Sequence, residues 1–157
     1  MKLRLELQHA CGCAGSPSRR ALAGWARAAL AGLRRPRVEL TVRLVGEQES
    51  AALNLRYRGR RGPTNVLSFA YERLRAARAA RVSAYLGDVV ICAPQVRREA
   101  RAQGKAETAH WAHLLIHAIM HLRGYDHRHK NDAKIMEAAE TRVLARLGFP
   151  DPYRSPS

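Results

Sequence analysis

The sequence is poor in several things, and each shortage excludes something. Cysteine occurs three times in 157 residues. Cys11 and Cys13 stand one residue apart and Cys92 stands alone, which offers no disulfide framework of the extracellular kind. All three are read as ordinary thiols, and no second cysteine pair exists to complete a zinc site with the first. Aromatic residues make up 6% of the chain, too few for an extended stacking platform of the type that coats single strands. No apolar run reaches the roughly 18 residues that a membrane span needs. Residues 1–7 alternate apolar and charged, which is strand periodicity and not the continuous apolar core of a signal peptide. A cytoplasmic protein without membrane association is expected. Acidic residues are scarce too: 13 Asp plus Glu face 28 Lys plus Arg, for a net charge of +15. Such a surface attracts polyanions at long range, nucleic acid foremost. Only four of the 28 are lysine, and an Arg- and Ala-rich composition also follows from a GC-rich genome, so charge alone does not decide the partner.

What is present is a regular alternation of strand and helix signals. Residues 2–8 read as a first strand. Ser18 is placed to cap a helix over 19–33, with Leu22, Trp25, Ala29 and Leu33 at helical spacing. Pro36 breaks the chain. Val38, Leu40, Val42 and Leu44 then alternate with Glu39, Thr41 and Arg43, a half-buried strand. A helix over 47–58 is expected to turn Ala51, Leu53 and Leu55 inward. The basic turn at 59–63 leads into a third strand over 65–71, and 86–92 is a fourth, β-branched and central. The arginine-rich segment 72–82 between them reads equally as a short helix or a loop. Pro94 suits the first turn of a helix to about 103, and further helices are expected from 107 or 108 to about 124 and over 131–147. The order predicts one α+β domain over 1–153, a small mixed four-stranded sheet packed with about five helices, and a loose tail at 154–157.

Six of the seven histidines fall between His110 and His129. Residues four apart share a helix face, so His117 and His121 can aim at one ion. Gly124 can take the left-handed conformation that ends a helix, and His127, three residues on, can then close a tripod. Three neutral imidazoles suit zinc, one ion per chain, and leave a fourth coordination position open, as catalytic zinc sites do. Metzincin proteases share this spacing, but there a glutamate follows the first histidine as general base. Here that residue is Ala118, which disfavours a metal-dependent peptidase. His113 shares the face of His117 but lies too far before Gly124 to close a tripod with His127; it is read as a substrate contact, a support for the ligands or a structural residue. His110 and His129 are expected to be exposed. Asp126 either orients a ligand or shapes the turn.

The run from His117 to His127 resembles the signature of the YbeY endoribonucleases. Two further segments do so as well: Tyr57-Arg58-Gly59 followed by Pro63-Thr64-Asn65-Val66-Leu67-Ser68-Phe69, and Leu86-Gly87-Asp88-Val89-Val90-Ile91-Cys92. With the closing Gly148-Phe149-Pro150-Asp151-Pro152-Tyr153, the likeness spans roughly residues 47–153. It implies zinc ligands at His117, His121 and His127 and an arginine important for activity at Arg58. It also implies a zinc-dependent, single-strand-specific endoribonuclease of small-subunit ribosomal RNA maturation and ribosome quality control, with ribosomal RNA and the small subunit as partners. Ala118, Met120 and Arg61 depart from the family's usual residues without removing a ligand. Arg58 is suited to clamp the scissile phosphate, and Arg56, Arg60 and Arg61 to hold the RNA backbone around it. A rival of another class is a ribosome-associated RNA-binding factor whose zinc is structural.

Overall fold

The computed structural model describes residues 1–71, 84–125 and 129–154. The elements in chain order are β1 (Lys2–His9), α1 (Arg19–Ala29), β2 (Arg37–Val45), α2 (Glu47–Arg58), β3 (Val66–Ala70), β4 (Tyr85–Cys92), α3 (Ala93–Gln103), α4 (Glu107–Leu122) and α5 (Lys130–Arg146). The strands form one sheet in the order β1-β2-β4-β3. β1, β2 and β4 run parallel, and β3 lies antiparallel on the edge beside β4. This is the expected α+β architecture, with a mixed four-stranded sheet and, among the described residues, five helices. None of these helices is long and apolar enough to cross a membrane.

Strand alternation sorts the sheet into two faces. Val38, Leu40, Val42 and Leu44 of β2 are fully buried with Val89 and Ile91 of β4 against α1, α4 and α5. α4 is the central helix of that layer, and Trp111, Leu115, Ile116, Ile119 and Met120 are all enclosed. Truncating one such Leu or Ile to Ala costs about 2–5 kcal/mol, because the packed surroundings close only partly over the cavity. Gly87 marks the tightest approach: a Cβ there would stand 2.4 Å from the Phe69 carbonyl oxygen and 2.9 Å from Leu122 Cδ2. The opposite face is covered near β3 and β4 by α2, through a small cluster of Val45, Leu67, Val90 and Cys92 with Leu53 and Phe69.

Several expectations need correction. α1 ends at Ala29 and not near 33, because Gly32 turns the chain with φ +83°; Ser18 does cap it, accepting from the Ala21 amide. In α2 the buried residues are Ser50 and Asn54, whereas Leu55 is 56% exposed. The helix packs its inner edge on the 59–65 turn, whose backbone needs hydrogen-bond partners more than apolar ones. Cys11 and Cys13 are not free thiols but a disulfide. The bend after β1 brings their Cα atoms to 5.3 Å, inside the range a disulfide spans, so a C-x-C pair closes on itself without a distant partner. Cys92 is free and buried, and burial pushes its thiol pKa up. The segment 72–82, read as helix or loop, lies outside the described residues. Of the tail at 154–157 only Arg154 is described, and it is exposed.

Candidate active site

A cleft of about 600 Å³ opens between α4, β3 and the end of α2. Its floor is the polar face of α4. His113, His117 and His121 follow one another at four-residue spacing, with ring centroids 6.1 Å apart for the first pair and 4.8 Å for the second. α4 ends at Leu122, and Gly124 turns the chain with φ +102°, as the sequence predicts. His127 and Asp126 lie outside the described residues, so the structure brings together His117 and His121 of the expected tripod.

Behind the histidines stands a carboxylate that the sequence reading passed over. Glu140 of α5 is fully buried. One of its oxygens accepts from His117 Nδ1 and the other from the Tyr153 hydroxyl. His113 Nε2 lies 3.5 Å from Glu140 Oε2 and 3.3 Å from the Tyr153 hydroxyl. Burial by itself would raise the Glu140 pKa, but the hydrogen bonds from His113 and His117 outweigh it and hold the carboxyl down to about 2. Burial and the adjacent carboxylate together push the Tyr153 phenol upward. Tyr153 reaches this place because the C-terminal segment is pinned. Phe149 packs edge-on against Trp25 with centroids 6.0 Å apart, and Lys105 Nζ donates to the Pro152 carbonyl at 2.8 Å. A signal for Glu140 exists in the sequence. Met136, Ala139, Glu140, Val143 and Leu144 are the buried stripe of α5, and a glutamate in the middle of such a stripe needs a partner.

The donor atoms of His113, His117 and Glu140 all lie within 4.8 Å of one another, so these three can hold a metal ion. The hydrogen bond favours a different use of His117. With Nδ1–H donating to a carboxylate, Nε2 keeps its lone pair, the arrangement by which a buried carboxylate orients a metal-binding histidine from behind.

The opposite wall carries Arg58, in the last turn of α2. Four anchors set its position. Arg43 of β2 grips Glu49 through two bonds of 2.6 and 3.0 Å. Ser50 Oγ donates to the Thr64 carbonyl and accepts from its amide, and Asn54 donates to the Gly62 carbonyl. Gly59 closes the helix in the left-handed conformation with φ +64°. Arg56, Arg60 and Arg61, the other expected substrate contacts, are exposed beside it. His110, expected at the surface, is instead 4% exposed and pairs with Glu99 at 2.8 Å, because α4 packs against α3 on that side. His129 is exposed, as expected.

Fold and cleft define a class: a small α+β protein whose histidine-lined cleft can hold a metal ion and faces a guanidinium, the equipment of a hydrolase. The chain belongs to the Endoribonuclease YbeY family, whose model matches residues 18–148. It is 50% identical over 153 residues to "Endoribonuclease YbeY" of Halorhodospira halophila, covering 98% of this chain and 97% of that one. It is 49% identical over 130 residues to the protein of the same name from Methylococcus capsulatus, covering 83% and 82%. The fold is also that of a Thermotoga maritima protein known from a solution structure, with a TM-score of 0.57, 24% identity, and 97% and 99% of the two chains covered.

Proposed function

We infer that the chain is a zinc-dependent, single-strand-specific endoribonuclease acting on small-subunit ribosomal RNA during maturation and in ribosome quality control. The observation that carries this reading is the placement of His117 and His121, rings 4.8 Å apart, in the same cleft as Arg58. The relatives named endoribonucleases support it, as does the net charge of +15. A cytoplasmic setting, where ribosomal RNA is met, follows from the same reading.

Zinc fits the donors. Imidazole nitrogen is among its preferred ligands, and Glu140 holds His117 in the tautomer that carries the lone pair on Nε2. His117 and His121 would hold the ion, with His127, which lies outside the described residues, as the third ligand that the family resemblance implies. When bound, zinc supplies Lewis acidity to a phosphoryl oxygen. The remaining work belongs to side chains. Arg58 presents a planar, permanently charged fork to the scissile phosphate and neutralises charge as it develops. Arg56, Arg60 and Arg61 hold the flanking backbone without reading its sequence. Glu140 and Tyr153 fix the orientation of His117, and His113 completes their network. Ala118, 1% exposed beside His117, occupies the place where a metzincin carries its general base, which weighs against a peptidase.

The test is cleavage of a structured ribosomal RNA fragment by the wild-type protein and by His121→Ala and Arg58→Ala variants, with circular dichroism to monitor folding. Loss of cleavage in both folded variants is expected. Cleavage equal to wild type in both would assign the activity to a contaminant and favour a binding factor with structural zinc. Unfolding of His121→Ala would likewise point to a structural metal.

A further inference from the structure

A second cavity, of about 560 Å³, lies on the far side of the cleft wall, against the outer face of the sheet. Tyr57 and Phe69 line both spaces and so form the partition between them. Tyr57 is 55% exposed, unusual for a large ring in a chain with so few aromatics. The ring is nonetheless held. Phe69 meets it edge-on with centroids 5.1 Å apart, and the Arg56 guanidinium lies over the ring, 5.3 Å from its centroid, so a base stacks by displacing Arg56 or beside it. It follows Arg56 and precedes Arg58 in the last turn of α2.

We propose that Tyr57 is a nucleobase-stacking site: the unpaired base next to the scissile phosphate leaves the histidine cleft over this ring and enters the second cavity. The proposal rests on the endoribonuclease reading above. Charge divides the two spaces between the two parts of a nucleotide. The cleft offers Arg58 and imidazoles, which suit a phosphate. Among the described residues, the second cavity is lined by Glu6, Glu49 and Asp88 against a single arginine, Arg43, itself bonded to Glu49. That lining repels a phosphate and accepts the donor edge of a neutral base. Arg56 and Arg58 flank Tyr57 in the chain and Arg58 lines the cleft, which supplies guanidinium groups for the phosphates flanking a base laid on this ring. Stacking on an aromatic side chain is tolerant of base identity but requires the base to be unpaired, which gives a structural cause for single-strand specificity: a duplex keeps its bases in their own stack.

The test is binding of a short single-stranded RNA carrying 2-aminopurine, on the full chain, read by anisotropy for affinity and by fluorescence quenching for stacking. With wild type the probe is quenched on binding. Tyr57→Ala and Tyr57→Leu are expected to bind about 5- to 100-fold more weakly and to lose the quenching at saturation. Tyr57→Phe and Tyr57→Trp are expected to retain both. Arg58→Ala is expected to weaken binding and its salt dependence while leaving the quenching at saturation intact. Because the ring is exposed, these substitutions leave the melting temperature close to wild type, and this is checked. Wild-type binding with unchanged affinity and quenching in Tyr57→Ala would overturn the stacking site and leave the nuclease reading standing. No binding of RNA by wild type would overturn both.

Discussion

Among the described residues, a histidine–glutamate pair joins neighbouring helices in two regions that behave differently. His110 and Glu99 join α4 to α3, and His117 and Glu140 join α4 to α5. In both, a glutamate on a neighbouring helix takes a hydrogen bond from one imidazole nitrogen, and in both the carboxyl pKa is lowered even though burial works to raise it. The second nitrogen distinguishes them. His110 Nδ1 is sealed in the interior with no hydrogen-bond partner among the described residues, and Glu99 spends its other contacts on Asn65 and Gln95. His117 instead lines an open cleft opposite Arg58. One pair stitches helices together inside the protein, and the other stands at the wall of the cleft. The difference lies in what each imidazole faces: the interior for His110 and the cleft for His117.

The sharpest way to break this comparison is to remove the two histidines in turn. His117→Ala is expected to abolish RNA cleavage, by more than the 10- to 100-fold or so that loss of a supporting residue costs a metal site, while the protein stays folded. His110→Ala is expected to keep cleavage per folded molecule and to lose about 2 kcal/mol, a fall of roughly 4–8 °C in Tm, because the Glu99 carboxylate is left without its partner. Calorimetric unfolding beside a cleavage assay checks both, and the reverse pattern would erase the distinction.

Next in size are the carboxylates. Glu140→Gln is expected to weaken zinc binding and cleavage by about 10- to 100-fold with a small change in Tm, since an amide holds the His117 tautomer less firmly than a carboxylate. Glu99→Gln is expected to cost about 1–3 kcal/mol of stability and to leave zinc affinity unchanged. A titration of zinc into each variant separates the two roles.

A smaller effect comes from pH. The Glu99 carboxyl lies below its ordinary value of 4.5. A depressed acid stabilises the folded state above the unfolded value and loses that contribution as pH falls through the folded value. The Tm advantage of wild type over Glu99→Gln is therefore expected to be full near pH 6 and to shrink as the pH drops below about 4.5. An advantage constant down to about pH 3 would show that the carboxylate's charge is not what stabilises.

Most of the layout was legible because it rests on local periodicity. The alternation in β2 and the i, i+4 histidines on α4 are direct consequences of strand and helix geometry, and Gly124 ends α4 as its position requires. The misses have a common origin in tertiary contacts. Leu55 faces outward because the inner edge of α2 serves the turn at 59–65, which no pattern within the helix reveals. His110 is buried by the approach of α3. Glu140 and Tyr153 meet His117 across 23 and 36 residues of chain, a pairing set by how α5 and the pinned C-terminal segment fold back, although a lone acid in the apolar stripe of α5 was a clue. Cys11 and Cys13 pair through a bend that composition does not encode.

The most direct test of the account is zinc affinity by calorimetry on chelator-stripped protein, comparing His121→Ala with His113→Ala. His117 belongs both to the proposed tripod and to the group it forms with His113 and Glu140, whereas His121 and His113 each belong to one arrangement alone, so substituting them tells the two apart. His121→Ala is expected to lose zinc binding and His113→Ala to retain it. Retention in His121→Ala with loss in His113→Ala would contradict this, placing the metal on Glu140 and removing that residue's role as the support behind His117.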